Sequence, residues 1–133
     1  MKFRAQSAIF PKLPRTPRSW YYGGIMVDGE EVWLCVKTEE KGVIAITVDP
    51  ETVGQFTGLY DKNGKEIYEG DIVRYYDVIE DELVSSHVIY HTESCSFCAA
   101  PTKLCGDYIG ICAHWQFEVI GNIYDTPELL KGG

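Results

Sequence analysis

Cys95-Ser96-Phe97-Cys98 is a C-x2-C pair, and Cys105 and Cys112 follow it, each after six intervening residues. Thiolates are soft donors. Four of them can hold zinc tetrahedrally, with a C-x2-C knuckle supplying half the set. The other half should be a second closely spaced pair, and Cys105 and Cys112 are too far apart to form one. His91 and His114 could each replace a ligand, which makes the pattern easier to satisfy and less specific. A C-x2-C pair can also cycle between dithiol and disulfide, but that chemistry belongs beside a βαβ pattern, which this sequence lacks. The plainer expectation is that the thiols serve as small apolar residues within strands. Cys112, near Ile109 and Ile111, fits it.

Carboxylates offer a second kind of chemistry. Glu69 and Asp71 are two residues apart and would share one face of a regular strand, as paired metal ligands or an acid/base couple. Gly70 between them breaks that regularity, and no histidine or third carboxylate lies close in sequence. Together with Asp61, Lys62, Lys65 and Glu66 they are expected to be solvated turn and edge residues. There is no G-x-S-x-G, Walker loop, G-x-G-x-x-G after a strand, or H-E-x-x-H. His87, His91 and His114 are expected to be structural or exposed. No residue is nominated as catalytic, cofactor-binding or metal-ligating, no cofactor is implied, and the expectation is a protein that is not an enzyme.

The elements around these residues read as strands. Gln55 to Tyr60 and Lys65 to Tyr68 flank Asp61-Lys62-Asn63-Gly64, and Asn-Gly suits a two-residue type I′ bend with positive φ at both central residues. Glu69-Gly70-Asp71 then interrupts the apolar pattern before Ile72 to Tyr76 resumes it, as at a bulge or corner. Upstream, Trp20-Tyr21-Tyr22 reads as a strand that turns at Gly23-Gly24. Ile25 to Val27 and Glu31 to Val36 read as a hairpin about Asp28-Gly29, and Val43 to Val48 as a buried strand. Trp20, Trp33 and Trp115 are expected in packing roles. Pro11, Pro14 and Pro17 mark an irregular connector. Asp77 to Glu82 should be an exposed loop, with strands at His87 to His91, Tyr108 to Cys112 and Trp115 to Ile120. Thr126 and Pro127 suit the cap and first position of one helical turn.

The 133 residues allow one domain or two very small ones. Hydrophobic residues at 45% and aromatics at 13% argue for an ordered chain. The net charge of −8 is unevenly placed. Residues 1–53 hold seven basic and seven acidic residues, and residues 54–133 hold five against thirteen. An acidic surface repels phosphate and forfeits counterion release, so nucleic-acid binding is disfavoured. Lys2, Arg4, Lys12, Arg15 and Arg18 leave room for a basic arm that could meet an acidic protein surface, though a solvated tail is as good a reading. No run approaches the length of a membrane helix, and the start has no apolar signal-peptide core. The expectation is a cytoplasmic protein with reduced thiols.

Three segments resemble the YopX family, found mainly in phages and prophages. Lys2-Phe3-Arg4-Ala5 is similar to the family's opening, although Gln6-Ser7 stand where it usually has a tryptophan and an acid. Val48 to Leu59, running on through Asp61 to Val73, is similar to its central signature, and Phe117 to Tyr124 with Pro127 to Leu130 to its closing one. About half the chain is covered. The resemblance implies a mostly β protein with a small N-terminal β region (1–53) packed on a C-terminal SH3-like β-barrel (54–133), assembled as a homo-oligomer in the cytoplasm of a bacterial host. It implies no reaction and carries over no functional residue. The leading expectation is a non-enzymatic protein acting through self-assembly and protein contacts. The alternatives are a zinc or redox protein using Cys95, Cys98, Cys105 and Cys112, and a nucleic-acid-binding module.

Overall fold

The computed structural model describes residues 1–8, 19–102, 106–112 and 116–130. The chain divides into two compact units, Met1–Phe56 and Thr57–Gly133. The fold is mostly β, its strands form antiparallel sheets, and no α-helix occurs among the described residues. The Pro11 to Pro17 connector, Trp115, and the cations Lys12, Arg15 and Arg18 lie outside the described residues.

In the first unit β1 (Phe3–Gln6), β2 (Trp20–Asp28), β3 (Glu31–Thr38), β4 (Gly42–Thr47) and the start of β5 (Gly54–Tyr60) pair in the order β4-β3-β2-β1-β5. The Asp28-Gly29 signal does make a hairpin. Asp28 pairs with Glu31 across the two-residue loop Gly29-Glu30, and Gly29 has φ +62°. Positive φ at the first loop residue alone is the type II′ pattern.

The expected turn at Gly23-Gly24 is corrected, because β2 runs straight through both residues. A Cβ on Gly23 would lie 2.1 Å from the Cys35 carbonyl oxygen, so glycine here admits a neighbouring backbone. The expected buried strand at Val43 to Val48 is also corrected. β4 pairs only with β3 among the named strands, Val43 is 68% exposed, and only Val48 beyond the strand enters the core. An apolar run reads the same in a central strand as in an edge strand with one covered face.

Strand alternation places Ala5, Leu34 and Val48 in a core with Phe3, Tyr21, Val32, Val36, Ile46 and Val53 around them. Trp33 points to the opposite face, across from Met26. Arg4, buried in β1, lies under the Trp20 ring at 4.6 Å, a cation–π contact, so this cation belongs to the sheet and not to a free arm. A 3₁₀ turn at Pro50–Thr52 follows β4. The Asp49 carboxylate caps it at Glu51 N–H, and Thr52 Oγ1 accepts from Gln6 N–H.

The second unit holds the rest of β5, which pairs with β6 (Glu66–Tyr68), and a five-stranded sheet. That sheet contains β7 (Asp71–Asp77), β8 (Glu82–His91), β9 (Ser96–Ala99), β10 (Ile109–Gly110) and β11 (Glu118–Asn122) in the order β10-β9-β8-β7-β11. Ile67, Val73, Tyr75, Val84, Val88, Ala99, Ile111 and Phe117 form its core, with Tyr75 edge-on to Phe117 at 5.2 Å.

The β5–β6 bend is not type I′. Gly64 has φ +82° whereas Asn63 is not left-handed, and Asp61 N–H donates to Lys65 O across a three-residue loop. This is a type I turn closed by a left-handed glycine, the other common hairpin solution. The interruption at Gly70 (φ +92°) is the expected corner; the exposed loop expected at Asp77 to Glu82 is narrower, residues 78–81, because Asp77 is buried at the end of β7 and pairs with Glu82 at the start of β8. Pro127–Leu130 forms a 3₁₀ turn that opens with Thr126 O accepting from Leu129 N–H. The Thr126 hydroxyl bonds Asn122 instead of capping it.

Candidate functional site

The C-x2-C segment sits at the β8–β9 turn. β8 pairs with β9 through Ile89–Cys98, Tyr90–Phe97 and His91–Ser96, leaving residues 92–95 to reverse the chain. Cys95 is exposed in that turn with φ +52°, and its thiol donates to Thr92 O at 3.3 Å. Cys98 is buried in β9, its sulfur 3.5 Å from Ser96 Oγ. Cys112 is exposed beyond β10, while Cys105 and His114 lie outside the described residues. Among the described residues no group of three or more His, Cys, Asp or Glu side chains is placed to hold a metal. Exposure of Cys112 is opposite to the apolar packing its neighbours suggest, and burial of Cys98 agrees with that reading.

The turn does assemble a polar relay that residue spacing alone does not reveal. His91 Nδ1 lies 2.8 Å from Ser94 Oγ, which lies 2.9 Å from Ser96 Oγ. Glu93 stands 4.0 Å from His91 Nε2, and Tyr108 stacks on the imidazole with ring centroids 3.9 Å apart. Carboxylate, imidazole and hydroxyl in this order form the arrangement that activates a serine nucleophile. Such a site works when the acid is desolvated and fixed. Glu93 is 89% exposed, so solvent screens its hold on the ring. The stacking and the serine bonds are better suited to fixing the shape of the turn.

The paired-carboxylate reading separates once geometry is considered. Asp71 is 1% exposed, and its carboxylate accepts from Tyr68 N–H at 2.7 Å, holding the β6–β7 corner closed. Glu69 is half-buried in the turn before it. Asp61 is buried as well, which corrects the expectation that it and Asp71 are solvated. Its two oxygens accept from Asn63 N–H at 2.8 Å, Lys65 N–H at 2.8 Å and Val119 N–H at 3.0 Å. Burial pushes the Asp61 pKa up, and those backbone bonds outweigh it and hold it below 3.8. The signal was present in sequence: an aspartate two residues before Asn-Gly is placed for an Asx turn. Asp77 is the third buried acid described in the second unit, accepting from Ile79 and Glu80 N–H in the next turn.

His87 lies mid-β8 opposite Ile72, where burial lowers its pKa below 6.5 and favours the neutral ring. On the outer side of β11, Glu118 is ion-paired with Arg74 and lies 3.7 Å from Lys62. The Arg74 hydrogen bond draws its pKa down despite some desolvation. These polar groups hold turns and strands in register, the same parts of the chain that carry the recognisable turn and strand grammar. Among curated proteins none matches the chain. Against known families, residues 16–131 match the one described as YopX protein, which takes in the β2–β4 hairpins, the buried acids and the β8–β9 turn. That match covers most of the chain, and the protein therefore belongs to the YopX family.

Proposed function

We propose that this is a non-enzymatic cytoplasmic protein of phage or prophage origin, its C-terminal unit an SH3-like barrel, that works by self-assembly and by contact with a protein partner. The barrel reading is supported by Lys62 N–H donating to Phe117 O and by the Asp61–Val119 bond, which carry the β5–β6 loop to β11.

One observation carries the contact reading: large apolar side chains stand in solvent as neighbours, where single scattered ones would be ordinary. In the first unit Ile25 and Val27, two apart on one face of β2, are 36% and 60% exposed. In the second, Tyr76 and Leu83 are cross-strand partners at the end of the β7–β8 hairpin, and Val78 and Ile79 beside them are 69% and 86% exposed. Desolvating such side chains favours association at roughly 25 cal/mol per Å².

Light scattering across a concentration series tests this directly. A mass that is a multiple of the 15.0 kDa chain is expected. A single-chain mass at every concentration, combined with failure of Ile79→Asp to alter what the protein captures from infected cells, would overturn it.

A further inference from the structure

We propose that β4 is the self-association surface and that it pairs antiparallel with β4 of a second copy, on a two-fold axis through Ile44. This rests on the self-assembly reading above and names its interface.

A strand at a sheet edge presents unpaired N–H and C=O groups, and folded proteins usually blunt such edges with charge, proline, bulges or brevity. Among the described strands the other edges are blunted, and β6, at the far end of the same sheet as β4, has only three residues. β10 has two residues, and β11 carries a register shift between Val119 and Gly121 together with the ion-paired Glu118. β4 has no such protection, since Gly42-Val43-Ile44-Ala45-Ile46-Thr47 contains no charge, proline or bulge.

The hydrogen-bond parity shows which groups face outward. Val48 N–H donates to Val32 O, so in the continuous β3–β4 register the even-numbered residues face β3 and Val43, Ala45 and Thr47 face away. Among the described residues the outer side is met only at its far end, where Ala8 N–H donates to Thr47 O and Ser7 bridges Val48. Among the described residues, Val43 and Ala45 therefore form the open stretch.

A second copy satisfies that stretch symmetrically. In the register that leaves Thr47 to Ala8, Val43 of one copy exchanges both backbone bonds with Ala45 of the other, and the reverse pair repeats it. Ile44 meets Ile44 as the close, non-hydrogen-bonded pair on the axis. An antiparallel strand paired with itself is self-complementary, as a closed two-fold interface requires. Charge favours the same occupant. β4 belongs to residues 1–56, which balance seven basic against seven acidic residues, so two such units meet with no net charge repulsion between them.

The test is light scattering on wild type and Val43→Pro. Proline removes an outward N–H that β3 does not use, so circular dichroism should keep its strand signal while the mass falls to one chain. Ile44→Cys supplies a second readout: on oxidation it should link residue 44 to residue 44, identified by mass spectrometry of the digested dimer. An oligomeric wild type whose Val43→Pro variant keeps its mass, or whose Ile44→Cys variant gives no 44–44 link, overturns the β4 assignment alone. A wild type that is a single chain at every concentration overturns self-assembly itself, and β4 with it.

Discussion

Asp61 ties its own turn to β11 through one carboxylate, accepting from Asn63, Lys65 and Val119. Replacing it with asparagine sets an NH2 group where an oxygen should accept, leaving at least one buried N–H without a partner at a cost of about 1–3 kcal/mol. At roughly 4–8 °C per kcal/mol for a unit of this size, thermal denaturation of Asp61→Asn should show a clear drop in midpoint. The pH dependence has a definite sign. The folded pKa lies below 3.8, so the stabilisation is complete above the ordinary aspartate range and is lost as pH falls through the depressed folded value. His87 adds a slope at higher pH. With its folded pKa lowered below 6.5, its neutral form favours folding, and stability declines as pH drops from about 6.5 through the folded value. Denaturant titrations between pH 3 and 7 should show both limbs, with Asp61→Asn flattening the lower one and His87→Gln the upper.

Two glycines separate two physical roles. A side chain at Gly64 meets open space, so Gly64→Ala pays only for a left-handed backbone, about 1–2 kcal/mol. Gly23→Ala drives a methyl group into the Cys35 carbonyl at 2.1 Å and must part β2 from β3. Its loss should exceed that of Gly64→Ala by at least about 2 kcal/mol, and equal midpoints in denaturant would refute the close-approach role. Turns are local, so the Asp28-Gly29 hairpin, the Gly70 corner and the turn between Asp77 and Glu82 are legible in the sequence, while the burial of Asp77 is not. Gly23-Gly24 is ambiguous in sequence because glycine signals both a bend and a close backbone approach, and only the register tells them apart. The exposure of β4 was hidden because no apolar run records whether a strand has one neighbour or two. The His91-Ser94-Ser96 relay exists only once β8 folds back on β9, and a list of residue types does not contain it.

Across the whole chain, charge is the property that most narrows function. The balanced first unit and the −8 of the second leave no net attraction for a polyanion. A mobility-shift assay with random duplex DNA at about 0.1 M salt should show free DNA throughout, whereas a shift that weakens as salt rises would restore the nucleic-acid reading. The lone pairs of Asp61 also set an order of events during synthesis. The chain emerges from its N-terminus at about 5–20 residues per second. Phe3 finds Gln55, and Arg4 finds Gly54, within the first half of translation. Asp61 must wait for a donor 58 residues further on. A ribosome that stalls before Val119 therefore releases a chain able to complete its first sheet but still holding a polar loop without its last bond, and such a fragment should be the one that quality-control proteases remove first.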